Sequence, residues 1–541
     1  MSATAPTPGL PVPTRVTGPP PALLSGGVLL VLAIQLLAGH PAWTWLALAA
    51  VGVLALAATL PAAAVALAFL GLLLAPDFET TRTLGLRLPW SHGLTLSNFL
   101  LPALWALLLI GGLGRPGTWP SLQWPPALRR TLGFLAWASL SLAPLFFAHA
   151  LDRQEWVTVL GHLLKLGVYV VVAAGLVSCF VGPAAHLPVV AGRGRQPAPP
   201  VGRAVVREGR WVCLILLLGG LGVNAGLALA QSRGTLPVFS PLAQAGDQLS
   251  ARATGTFYDA NMFGSLLAFG LGPTLSLLAL RDLALSYRFG LGALAALLGT
   301  ALLATGSRAA LLSFAVVLVV FALRGARRSL LCGVVCALAL GAVAPRAAWE
   351  HVGGAWDTVV GRPAALHPDD GTLRRLRSMQ DGWRQFLAHP LLGQGFGHTL
   401  YIGVPSLAGR GFAGGVVPFH RADPGFSGAQ NTVLTVLDEL GPVGLVLFGS
   451  IWTVTLRELR PTGNPAVTAV REGLRAGLWA LLAASLTVEL FYNARLLALL
   501  LVVLATWSEP PVSTTPASSR CVCSRKPKTD NRQPLESIHA T

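Results

Sequence analysis

The chain has 541 residues, 53% of them hydrophobic and only 11% charged. Water-soluble domains carry about 25% charged residues, so a soluble globular protein is excluded. The net charge of +17 comes from arginines, most of them in short loops between apolar runs, where membrane topology accounts for them without nucleic acid.

Only helices and closed barrels satisfy the backbone inside lipid, and these runs lack the two-residue alternation of barrel strands. The expected fold is therefore all-α, a polytopic integral membrane protein. Residues 1–22, rich in Pro, Thr and Ala, read as a disordered tail. Apolar runs follow at Leu23–Ala38, Trp43–Leu60 and Ala62–Ala75. Pro61 divides the last two, making either a tight hairpin or one long kinked helix.

Further spans are predicted at Phe99–Leu113, Leu132–Ala148, Trp156–Val181, Trp211–Ala230, Met262–Leu280, Phe289–Leu303, Ala309–Leu323, Leu330–Val343, Val433–Val454, Ala476–Phe491 and Leu496–Trp507. These make about 12–14 membrane helices, several shorter than the roughly 20 residues of a full crossing. Residues 23–230 form an N-terminal group of spans and 231–454 a second region holding one large loop, 345–430. Residues 455–507 form the last spans, and 508–541 a disordered cytoplasmic tail. Gly220, Gly222 and Gly226 in one span suit close helix packing. Cys179, Cys213, Cys332 and Cys336 sit in or beside apolar runs as small hydrophobes. Cys521 and Cys523 fall in the polar tail. No disulfide framework and no zinc site are read from these positions.

Counting sides from a cytoplasmic N-terminus puts Arg115, Arg129, Arg130, Arg193, Arg195, Arg203, Arg207, Arg210, Arg281 and Arg288 inside. Arg324, Arg327, Arg328, Arg457, Arg460, Arg471, Arg475 and the basic tail join them, a positive-inside pattern. The segment 231–261, the turn Thr305–Arg308, the loop 345–430 and the turn Tyr492–Arg495 then share the outer face.

Each polar cluster on that face has two readings. Asn261, at the start of a span, suits a helix N-cap, or a helix terminus facing an anionic substrate. Arg308 follows Thr305-Gly306-Ser307 at a span boundary, where it snorkels to headgroups or binds phosphate. In the loop, Leu373, Leu376, Gln380, Trp383 and Leu387 mark one helical face and Arg377, Asp381 and Arg384 another. Either that second face is solvated with an Arg377–Asp381 pair, or the helix lies on the membrane with its apolar side down. The Gly393–Gly397 run lacks the preceding strand of a dinucleotide fingerprint. His162 and Lys165, one turn apart in a span, mark either an ion path or buried packing. Glu489 and Arg495 flank the last outer turn as a candidate ion pair.

Together these segments resemble the O-antigen ligase family, which includes O-antigen and exopolysaccharide polymerases. The likeness rests on Gly255–Asn261, Gly306-Ser307-Arg308, the string Arg377…Trp383…His389-Pro390-Leu391-Leu392-Gly393, and Asn431…Glu439-x-Gly441-x-x-Gly444. The resemblance implies a glycosyltransferase of the bacterial inner membrane, without metal or other cofactor. Its active site would face outside the cytoplasm, moving a glycan from undecaprenyl diphosphate to a glycan or lipid acceptor. By family motif, Arg308 and Arg377 oppose the departing diphosphate. Asp259, Asn261, Ser307, Trp383, Arg384, Asn431 and Glu439 become substrate-binding candidates. Family ligases place a histidine before the Asn, whereas Gln430 stands here, and an amide is no general base. That task passes to His420, Asp423 or Glu439, is dispensed with, or marks a different activity. Outside the family, a transporter of a small solute such as inorganic carbon, or a noncatalytic partner of a polysaccharide machine, fits the same hydrophobic pattern.

Overall fold

A computed structural model of the chain describes residues 61–74, 124–147, 153–181, 209–236, 252–257, 259–343, 371–397, 431–488, 490 and 493–508. The helices are α1 (Pro61–Leu74), α2 (Pro126–Leu140), α3 (Ala143–Phe147), α4 (Arg153–Val181), α5 (Gly209–Ser232), α6 (Ala260–Leu278) and α7 (Leu285–Ala304). Then come α8 (Arg308–Leu323), α9 (Arg327–Val343), α10 (Gly371–Ala388), α11 (Thr432–Glu458), α12 (Pro465–Ala484) and α13 (Ala494–Trp507). Among the described residues there is no strand. Six stretches are long and apolar enough to cross a membrane: α2 with α3, α4 from Val159, α5, α6, α7 and α11. Shorter apolar helices are α1, α8 and α13. The expected spans 23–38, 43–60 and 99–113 lie outside the described residues.

Two boundaries differ from expectation for identifiable reasons. The span expected at 132–148 breaks between α2 and α3, because Pro144 has no N–H for the carbonyl of Leu140. The span expected to begin at Ala476 begins at Pro465, whose fixed φ suits a first helical position. There Asn464 caps the N–H groups of Ala466 and Val467 at 3.0 and 3.3 Å. Its first turns carry Arg471 and Arg475, so a reading by hydrophobicity alone starts a few turns late.

Helix α6 lies at the centre, buried along nearly its whole length from Ala260 to Leu277. It is small or apolar nearly all round, and two of its hydroxyls fold back onto its own carbonyls, Ser265 onto Asn261 and Thr274 onto Gly270. Its closest partner is α12. A Cβ on Gly272 would lie 2.3 Å from the Gly473 carbonyl oxygen, and one on Gly473 would lie 2.4 Å from Cα of Pro273. Gly477 likewise abuts the Phe269 carbonyl. Glycine lets the two backbones touch, which is how membrane helices associate when lipid offers no hydrophobic gain. Of the glycines singled out in α5, Gly220 faces Leu73 and Gly222 faces Leu294, while Gly226 has open space.

The two ends of the bundle differ. At one end the arginines gather. Arg471 donates to the carbonyls of Trp507 and Arg460, and Arg210 lies 5.8 Å above the Trp507 ring. Arg324 and Arg460 stand near Arg475. At the opposite end, polar side chains, Arg495 among them, tie the ends of α1, α5, α7 and α12 to the starts of α6, α8, α11 and α13. Cys179, Cys213, Cys332 and Cys336 are free thiols.

Candidate functional site

The polar end contains three constructions, each traceable to local sequence. The first joins the starts of α6 and α8. Asp259, not Asn261, caps α6, its carboxylate accepting from the N–H of Asn261. Asn261 is the second helical residue and is turned sideways. Its Oδ1 accepts from the Ser307 hydroxyl at 2.8 Å and from Arg252 Nη2 at 2.9 Å. Ser307 caps α8, its Oγ accepting from Ala310 N at 3.1 Å. Gly306, at φ 56°, turns the chain into this cap, and Gly264 lets α6 approach Ala310 and Thr305. Thr305, Ser307 and Asn261 are buried. Arg308, the first residue of α8, is exposed. Two helix N-termini, each with the partial positive charge of its unpaired N–H groups, thus lie side by side next to a guanidinium.

The second construction is a latch between the loop and α11. Pro442 has no N–H to give the carbonyl of Asp438 one turn back, and Gly441 breaks the helix at φ 66°, ψ −172°. The loop supplies the missing donors. Gln394 N bonds the Asp438 carbonyl at 2.8 Å and Gly395 N the Glu439 carbonyl at 2.9 Å. Trp137 Nε1 reaches the next carbonyl, that of Leu440, at 3.0 Å. Side chains repeat the theme, with Gly397 N on Glu439 Oε2 at 2.9 Å and Gln394 Nε2 on Asp438 Oδ1 at 3.1 Å. Phe396 N binds the Ser141 hydroxyl, and its buried ring lies 5.8 Å from the His162 ring. The glycine run that is no nucleotide fingerprint is therefore a docking turn, and His162 is part of its seat.

The third is a capping arginine. Arg495, 1% exposed, donates to the carbonyls of Leu72 and Leu73 at the end of α1 and to the Thr256 hydroxyl. Its guanidinium lies 4.4 Å from the centre of the Phe257 ring. It closes a helix end in this way, while its expected partner Glu489 lies outside the described residues.

The expected site residues fall into three groups. Asp259, Asn261, Ser307, Asn431 and Glu439 are engaged in holding the scaffold. Asn431 caps α11 through Val433 N and Leu434 N and donates to the Leu486 carbonyl. Arg308, Trp383 and Arg384 are exposed. His420, Asp423, Gln430 and the side chain of Arg377 lie outside the described residues. On α10, Leu376, Trp383 and Leu387 face outward, joined by Leu391 and Leu392 of the following turn. The small residues Ser378 and Gly382 are buried instead, and α10 packs on α11. Among described side chains the ion pair is Asp381–Arg384 at 3.4 Å, three residues apart. Among the described residues, no three of His, Cys, Asp and Glu converge as a metal set would. Arg252 was missed by sequence reading. Its signal, an arginine nine residues before Asn261, is legible only once the turn after α7 is placed beside it.

Residues 293–449 match the family model described as O-antigen ligase. The match runs from α7 through the first part of α11 and so includes Arg308, α10 and the latch. No curated protein matches the chain.

Proposed function

We propose that this polytopic membrane protein, whose residues 293–449 match the O-antigen ligase family model, transfers or polymerises a glycan carried on undecaprenyl diphosphate. In this reading the polar end faces outside the cytoplasm, since the arginine-bearing turns occupy the other end. The acceptor hydroxyl attacks the anomeric carbon. The bond from that carbon to the diphosphate oxygen breaks, the hydroxyl proton is lost, and negative charge grows on the leaving diphosphate. Arg308 and Arg377 meet that charge with bidentate hydrogen bonds. The paired N-termini of α6 and α8 add a field of the same sign. Gln430 and Asn431 orient the acceptor, and His420 takes its proton. Trp383 and Arg384 contact the donor from the loop side. Ser307, Asp259, Asn261 and Glu439 act through the frame they hold.

The carrying observation is the placement of exposed Arg308 on the first residue of a capped helix, beside a second helix N-terminus. The test is purified protein with a polyprenyl-diphosphate oligosaccharide and a candidate acceptor. Arg308→Gln should lower transfer by about 100- to 1,000-fold while leaving the thermal midpoint unchanged, because the side chain is exposed. Transfer at the wild-type rate in that variant defeats the reading.

A further inference from the structure

We infer that Arg252 is a positioning residue for Arg308, and that it sets the affinity of the site for a diphosphate. The inference rests on the functional reading above, since it concerns the same site. Arg252 lies in the short segment before α6, outside the residues matched to the family. Its Nε donates to the Thr305 carbonyl at 2.9 Å and its Nη2 to Asn261 Oδ1 at 2.9 Å. That oxygen also accepts from the Ser307 hydroxyl, and Ser307 N reaches Thr305 Oγ1 at 3.2 Å. The bonds close a ring through Arg252, Thr305, Ser307 and Asn261. One residue beyond the ring stands Arg308.

The ring decides where Arg308 points. A side chain at the first position of a helix leaves along a direction fixed by the preceding turn, and that turn contains Gly306 with a positive φ. Without a tether, glycine there has more backbone freedom than any other residue. Arg252 supplies the tether from outside α7 and α8. The neighbouring bond from Ala253 N to the Ala304 carbonyl at 3.3 Å keeps its own backbone in place. Two parallel donors at fixed separation are needed, one for a backbone carbonyl and one for an amide oxygen. The planar guanidinium offers that fork and a lysine ammonium does not.

The experiment is a double-mutant cycle read by binding rather than turnover, so that inactive variants still report. Wild type, Arg252→Gln, Arg308→Gln and the double variant are placed in nanodiscs and titrated with undecaprenyl diphosphate. Thermal midpoints are recorded alongside. Arg252→Gln should weaken binding by about tenfold in the wild-type background and by less than about twofold when Arg308 is already gone. Arg252→Lys should restore little, because the fork is lost. Equal weakening in both backgrounds overturns the inference and makes Arg252 an independent anion contact. Undiminished binding in Arg252→Gln overturns it too, as does weakening that merely tracks a lowered thermal midpoint. Arg308→Gln that binds and transfers like wild type sinks the functional reading itself, which is a distinct outcome.

Discussion

Replacing Gly441 by alanine would isolate the latch between the loop and α11. At φ 66° and ψ −172° the backbone is in a region that only glycine enters freely, and a side chain there costs about 1–3 kcal/mol. The new Cβ would also stand 2.5 Å from the Leu391 carbonyl oxygen and 3.2 Å from Gly393 N. Both are backbone atoms of the docked turn, so the turn must move away. Moving it breaks the bonds from Gln394 N and Gly395 N, each worth about 1 kcal/mol net. The docked state therefore rises by about 3–5 kcal/mol relative to the undocked one. That corresponds to a two- to four-order increase in the open fraction. Hydrogen exchange of the Gly395 and Gly397 amides should accelerate by that factor, while amides in the middle of α6 stay protected. Gly393→Ala, whose Cβ would meet the Glu439 carbonyl at 2.5 Å, should do the same from the other side. Wild-type protection of both amides in both variants would refute the account of the latch.

Other expectations follow from single features. Arg495→Met removes the donor from two carbonyls and a hydroxyl in a buried place and should destabilise by about 3 kcal/mol or more. It would be read as a lowered thermal midpoint in detergent, and Arg495→Lys should recover only part of it. Gly473→Ala pushes a methyl against the Pro273 backbone and should cost about 1–3 kcal/mol by overpacking. The same assay checks it, and an unchanged midpoint would contradict the touching-backbone description of α6 and α12. Trp383, exposed beside Leu376 and Leu387, should be quenched by brominated lipids if α10 rests its apolar side on the bilayer. Accessibility only to aqueous quenchers would favour a solvated face. With the proposed orientation, a cysteine at Arg384 should react with an impermeant thiol reagent added outside intact cells, and one at Arg327 should not.

The helical class and most helix positions were legible because they depend on long averages of hydrophobicity. The expected runs 156–181, 211–230 and 309–323 end within a few residues of α4, α5 and α8. Contacts that depend on tertiary proximity were not legible. The glycines of α6 and α12 look like any small residues until the helices are paired. Asn261 looks like a cap because an Asn before an apolar run usually is one, yet Asp259 two residues earlier takes the role and frees its oxygen for Arg252 and Ser307. Glu439 looks like a site carboxylate because of its motif, and the bond it accepts from Gly397 N could not be read from the sequence. The expected span 433–454 runs straight through Gly441-Pro442, although a proline there must interrupt the helix, so the kink itself was legible. What fills the interruption was not, because the donors lie 44 residues away.

That separation has a bearing on how the chain is made. A span carrying an unsatisfied carbonyl into hydrocarbon is penalised by several kcal/mol. α11 is such a span, because its own sequence cannot furnish an N–H for Asp438. The donors at Gln394 and Gly395 precede their acceptors, so synthesis delivers the docking turn before the helix that needs it. The order of residues along the chain thus doubles as an order of assembly, in which the docking turn waits and α11 closes onto it.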